Sequence, residues 1–246
     1  GTYAPQMQVV STPFLFSSYE DADKLVLDPE SEGYQLIEGW LAEKGVHTLG
    51  ILEQGFRQLS NSKKEIVTPE DIKGMKFRVP QTAILIDAFD AMGASASPMS
   101  FSEVYTALQQ GMVDAQENPP SNIVSSKVYE LQNYMVMTNH NFTATIPAIS
   151  PVIWNQLSAD DQQLIRDVMV EAQNEGRKHT AELADGFIQK VEDDAGTKVI
   201  YLTDDELKAF QDKVKEPIWP MVEKQMGTDA YNALISFVEA YEAGKK

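Results

Sequence analysis

Arg78, Asn118 and Arg57 are the side chains whose type and setting suit recognition of an organic anion. An arginine stays ionised, and its planar fork holds a carboxylate through two parallel hydrogen bonds. An asparagine amide adds a further donor to the same oxygens. Arg78 closes the alternating run Met75-Lys76-Phe77-Arg78-Val79 just before Pro80, which stops a strand. Asn118 lies in Gln116-Glu117-Asn118-Pro119-Pro120, where the prolines end another. Arg57 follows a strand-like stretch at 48–54 and a turn expected at Gly55. Ligands of open α/β sheets bind in the crevice beyond the carboxyl ends of the strands, where these residues are expected. Spacing alone leaves a plainer reading open, in which both arginines are exposed strand residues making weak surface pairs.

Other chemistries leave little trace. There is no G-x-S-x-G, no H-E-x-x-H, no Walker loop and no Rossmann glycine fingerprint. His47, His140 and His179 are far apart and read as structural or surface residues, so neither a metal nor another cofactor is expected. Asp160-Asp161 and Asp204-Asp205 fall in first helical turns, where the helix dipole favours negative charge. An enzyme acting on a small carboxylate substrate is the alternative, with Glu117 or Asp114 as base and Arg78 as anchor.

The chain has 246 residues, 43% of them hydrophobic and 23% charged, which is the composition of a folded globular protein. Twenty Lys and Arg against 37 Asp and Glu give a net charge of −17, which repels phosphate backbones and excludes nucleic acid as an expected partner. With no cysteine there is neither a disulfide nor a thiolate site. No apolar run approaches the roughly 20 residues that span a bilayer, so the chain is not expected to cross a membrane.

The elements that must position the polar residues are written in caps and periodicity. Thr68-Pro69-Glu70-Asp71 starts a short helix that Gly74 ends, and Ser100 with Glu103 forms a capping box ahead of a helix closed by Gly111. A short strand is expected at 112–116. Ser158 and Asp161 begin a helical pattern that runs to Gly196, with Gly176 and Gly186 as candidate bends. About 36 residues at roughly 1.5 Å each give about 54 Å, longer than one small domain is wide, so this helix is expected to lie across two lobes. A strand at 198–202 follows. Thr203 and Glu206 then cap a helix expected to be interrupted at Pro217 and Pro220, and Thr228 opens a last helix ending near Gly244. Short strands alternating with capped helices indicate an α/β fold.

Three stretches together resemble the dicarboxylate-binding (DctP) type of solute-binding protein of tripartite ATP-independent periplasmic (TRAP) transporters. They are Met75-Lys76-Phe77-Arg78-Val79-Pro80, the run from Pro98-Met99-Ser100-Phe101-Ser102-Glu103-Val104-Tyr105 to Gly111, and Val113-Asp114-Ala115-Gln116-Glu117-Asn118-Pro119. Pro13-Phe14-Leu15-Phe16, Gly55-Phe56-Arg57-Gln58 and Thr138-Asn139-His140 support them.

The resemblance implies a two-lobed periplasmic-binding-protein-like fold that closes on a small organic anion and delivers it to a sodium-driven membrane permease, catalysing no reaction and carrying no cofactor. It implies that Arg78 makes the principal salt bridge to the ligand carboxylate, that Asn118 contacts the same group, that Arg57 lines the pocket and that Phe101 packs against the ligand. It places residues 1–55 with 144–183 in one lobe and 56–143 with 184–246 in the other, bridged by the long helix. Family members begin with a strand-helix-strand segment ahead of the stretch starting at Gln6, so the first lobe is expected to be incomplete. A periplasmic location follows from the same resemblance.

Overall fold

The computed structural model describes residues 5–244. Its strands are β1 (His47–Thr48), β2 (Leu52–Asn61), β3 (Lys76–Val79), β4 (Ser95–Pro98), β5 (Ala115–Asn118), β6 (Tyr134–Thr145), β7 (Ala148–Ile149) and β8 (Lys198–Tyr201). The helices are α1 (Tyr19–Ala22), α2 (Glu32–Glu43), α3 (Pro69–Ile72), α4 (Ala83–Ala91), α5 (Val104–Gln109), α6 (Pro120–Ser125), α7 (Pro151–Trp154), α8 (Ala159–Ala195), α9 (Asp204–Met226) and α10 (Thr228–Gly244). This is the expected α/β fold. Six strands form one mixed sheet in the order β4-β3-β5-β2-β6-β8, and β1 pairs with β7 in a separate two-stranded sheet. β3 runs parallel to β4 and β5, β6 parallel to β8, and β2 antiparallel to both of its neighbours.

Helices cover both faces of the large sheet. Met135 and Val136 are successive residues of β6 and both fully buried. Val136 joins the core of Phe77, Val79, Phe89 of α4 and Phe210 of α9, whereas Met135 joins Val104, Leu108, Ile123 and the α8 residues Ile188 and Val191. A strand covered on both sides buries every side chain, polar ones included, and this accounts for the polar groups held inside the sheet.

α8 starts at the Ser158 cap, whose hydroxyl accepts from the Asp161 amide, and ends at Gly196 with φ 65°. Its 37 residues run unbroken through Gly176 and Gly186 and span about 55 Å. α9 departs from expectation, because it passes through Pro217 and Pro220 without interruption. Phe210, Val214, Ile218 and Val222 recur every fourth residue, each 1% exposed, so one apolar stripe continues across both prolines. Burial of that stripe, at about 1.5–3 kcal/mol per side chain, outweighs the lost backbone hydrogen bonds.

The strand expected at 112–116 lies instead at Ala115–Asn118, two or three residues further on. The turn expected at Gly55 is absent. Gly55 lies inside β2, at a register shift against β6, with φ 98°. A Cβ there would meet the Tyr19 hydroxyl at 2.9 Å, so glycine lets Tyr19 pack edge-on against Phe56 and Phe142. β2 therefore carries Arg57 in mid-strand.

Candidate functional site

Arg78 is the last residue but one of β3, opposite Gln116 of β5 and Ser97 of β4. Pairing β3 between two parallel strands brings the carboxyl ends of all three together. Arg78 is only 3% exposed, although Lys76 on the same face of β3 is exposed. This removes the reading of exposed strand arginines. Its Nε and Nη2 both donate to the Met99 carbonyl, at 3.2 and 2.8 Å, and its guanidinium lies 5.9 Å from the centre of the half-exposed Phe101 ring. No carboxylate among the described residues forms an ion pair with it. Burial pushes its pKa down to about 10, Glu117 opposes this and the nearby Arg57 adds to it.

Arg57 is equally sequestered, at 7% exposed, but fully paired. Its Nε and Nη2 form a two-bond fork with the Glu117 carboxylate, the second bond being 2.8 Å. Nη2 also donates to the Glu117 carbonyl at 2.7 Å and to Asn118 Oδ1 at 3.0 Å, and Nη1 reaches Thr143 at 3.3 Å. Asn118 ends β5 directly opposite Gln58 of β2 and is 2% exposed. Arg78, Phe101, Asn118 and Arg57 are thus brought to one place, at the strand ends.

Two further residues complete the cluster. Glu117 is fully buried and accepts from His140 Nε2 at 3.0 Å as well as from Arg57. Burial alone raises a carboxyl pKa, but the Arg57 charge and the bonds from His140 and Arg57 outweigh it and hold Glu117 at about 2. His140 is 4% exposed, with Thr138 Oγ1 2.8 Å from its Nδ1. It belongs to this cluster, which the wide spacing of the histidines concealed.

A bulge in β6 carries His140 there. Between the Arg57–Asn141 and Leu59–Val136 pairs, two steps along β2 match five along β6, and Asn139 takes up the excess with φ 45°. Buried Gln58 holds the bulge, accepting from the Thr138 and Asn139 amides at 2.9 and 3.0 Å. Asp114, the other base of the enzyme alternative, lies elsewhere, pairing with Lys63 at 3.3 Å. His47 stacks on Trp154, and half-exposed His179 lies near Glu175 and Glu182 on α8. Among the described residues no group of three or more His, Asp or Glu is arranged to hold a metal.

The chemistry of the cluster follows from its charges. Glu117 neutralises Arg57, and Arg78 is left as a buried cation satisfied only by a carbonyl. One positive charge in excess therefore lies at the carboxyl ends of three parallel strands.

Residues 1–225 match the family model described as bacterial extracellular solute-binding protein, family 7 (DctP). The chain is 33% identical over 234 residues to a C4-dicarboxylate-binding periplasmic protein DctP of Shewanella loihica, covering 95% of this chain and 68% of that protein. It is also 33% identical over 233 residues to the 2,3-diketo-L-gulonate-binding periplasmic protein YiaO of Escherichia coli, covering 94% and 69%. Among solved structures, a TRAP periplasmic solute-binding protein of Chromohalobacter salexigens with bound D-glucuronate superposes with a TM-score of 0.90 at 30% identity, over 98% of this chain and 77% of that one. One from Shewanella oneidensis with bound succinate gives 0.86 at 32%, over 96% and 75%. These relatives are solute-binding proteins and not enzymes, which sets aside the enzyme alternative. The chain belongs to the DctP family of bacterial extracellular solute-binding proteins, the solute-binding components of TRAP transporters.

Proposed function

We propose that this chain captures a small organic acid in the periplasm and hands it to a TRAP permease, with Arg78 as the anchor of the ligand carboxylate. The observation that carries this is the buried Arg78 guanidinium without a carboxylate partner, beside an Arg57 that already has one. The bound acids named for the relatives, succinate and D-glucuronate, are of the class this anchor suits. Asn118 adds a donor to the same oxygens, the Arg57 head group borders them, and the half-exposed Phe101 ring offers an apolar wall.

Closure of two lobes, 1–55 with 144–183 against 56–143 with 184–246, excludes water from the cleft and strengthens every charge contact in it. β2, β6 and α8 cross between them. The described residues include no helix long and apolar enough to cross a membrane. In this proposal a separate permease engages the closed form.

A thermal-shift panel of small carboxylates, with calorimetry on the hits, tests the proposal. A ligand at about a hundred times its Kd stabilises by about 2.7 kcal/mol. One acid is expected to raise the melting temperature of the wild type and not of Arg78→Ala. A response that survives Arg78→Ala, or no response to any acid, overturns it.

A further inference from the structure

Asn118 is the end of a longer construction. Arg57 Nη2 donates to Asn118 Oδ1 at 3.0 Å, Asn118 Nδ2 to Gln116 Oε1 at 2.5 Å and Gln116 Nε2 to Ser60 Oγ at 2.7 Å. Ser60 Oγ then donates to Gln132 Oε1 at 3.2 Å, and Gln132 Nε2 to the Leu131 carbonyl at 2.9 Å. Asn118, Gln116, Ser60 and Gln132 are each no more than 2% exposed. All five bonds point the same way. A guanidinium only donates and a carbonyl only accepts, so the two ends of the chain independently impose the same orientation on every amide between them.

We infer that Gln116, Ser60 and Gln132 are positioning residues for ligand binding: a buried relay across β5 and β2 holds the Asn118 amide in one orientation, with its oxygen committed to Arg57 and one N–H committed to Gln116. The other N–H is the donor of that side chain left for a ligand, which suits a carboxylate oxygen. The register supports this. Ser60 pairs with Gln116, which pairs with Arg78, and Asn118 follows two residues after Gln116, so all four side chains share one face of the sheet. Buried Ser60 and Gln116 in the sheet, and Gln132 just before β6, are costly to a core unless satisfied, and each is satisfied through its neighbour. Thr197 pins the far end by donating to the Gln132 carbonyl at 2.9 Å.

The inference rests on the anion reading of the site, so the experiment separates the two. Wild type, Ser60→Ala, Asn118→Ala and the double variant are titrated calorimetrically with succinate, L-malate and D-glucuronate, and the acid bound most tightly by wild type is compared across all four. Ser60→Ala removes two neutral hydrogen bonds of the relay, one accepted from Gln116 and one donated to Gln132, and is expected to weaken binding by about three- to tenfold. In the Asn118→Ala background the same substitution is expected to change nothing further, because its effect passes through Asn118. Gln116→Met, close to glutamine in size, repeats the test without depending on Ser60→Ala folding. Unchanged affinity in both relay variants, or losses that add in the double variant as a general weakening of the fold would give, overturn the relay alone. Failure of the wild type to bind any of the three acids overturns the anion site, and the relay with it.

Discussion

Glu117→Gln removes a charge while keeping nearly all of the atoms. The glutamine oxygen can still accept from Arg57, and its nitrogen faces His140, so the loss is chiefly that of the negative charge between them. Two routes give the size of the effect. Both partners are buried, Glu117 at 0% and Arg57 at 7% exposed, and leaving one member of such a pair uncompensated costs about 3–5 kcal/mol. Expressed as linkage, the same Arg57 charge holding the carboxyl at about 2 against an ordinary 4.5 corresponds to about 3 kcal/mol at neutral pH. The size matters because a domain has only about 5–15 kcal/mol in total.

The sign of the pH dependence follows from the lowered pKa. The contribution is complete above 4.5 and is lost as the pH falls from there toward 2. Urea denaturation of both proteins, between about pH 7 and about pH 3, should show the variant weaker by about 3 kcal/mol at the neutral end, with the gap narrowing on acidification. A gap that is absent, or that stays constant with pH, refutes the assignment of Glu117 as the neutraliser of Arg57.

Arg78→Lys keeps the charge but loses the planar two-bond geometry, so calorimetry should show carboxylate affinity reduced by about tenfold or more; near-normal affinity counts against the anchor. Phe101 is 42% exposed, so Phe101→Ala should leave the stability measured by urea unfolding within about 0.5 kcal/mol of wild type while weakening ligand binding. Gly55→Ala forces a side chain into φ 98° and against the Tyr19 hydroxyl, and should lower stability by about 1–3 kcal/mol in the same assay. Burial, with Asp23 adding to it and Arg177 opposing, pushes Glu53 up to about 7, so its ionisation opposes folding as pH rises from 4.5 through 7. Melting temperatures of Glu53→Gln across that range should lack this part of the decline.

The signals that read correctly from sequence were local ones. The Ser158 cap and Gly196 bound α8 within a residue, the helix expected from Thr68 and the caps at Ser100 and Thr203 all form, and β3 lies where the alternation placed it. Arg57 was harder to place, because a glycine inside a strand at a register shift looks like a glycine in a turn. Burial of Arg78 was hidden for another reason. Alternation of Phe77 with Lys76 and Arg78 implies a wet face, whereas the segment of Met99 and Phe101, more distant in sequence, meets the Arg78 head group. His140 and Glu117 are 23 residues apart and meet only through the β5-β2-β6 neighbourhood and a bulge that no residue type announces. The continuity of α9 is a tertiary effect overriding a strong local one.

The contrast between the two arginines accounts for how an acidic protein can hold an anion. With a net charge of −17 the surface repels carboxylates at long range, and screening limits any attraction to about 8 Å at physiological salt. Two unpaired buried guanidinium groups side by side would repel each other as well as desolvate at great cost, so one of them is neutralised in place by Glu117, which also accepts from His140, and donates to Asn118. It then serves as a rigid wall. The other keeps only the Met99 carbonyl, retaining an unbalanced charge that a ligand carboxylate can complete. On the proposed reading, selectivity for an anion comes from an inequality between neighbours of the same residue type, and binding should be modestly sensitive to salt, because the interaction would form only at contact distance inside the closed cleft.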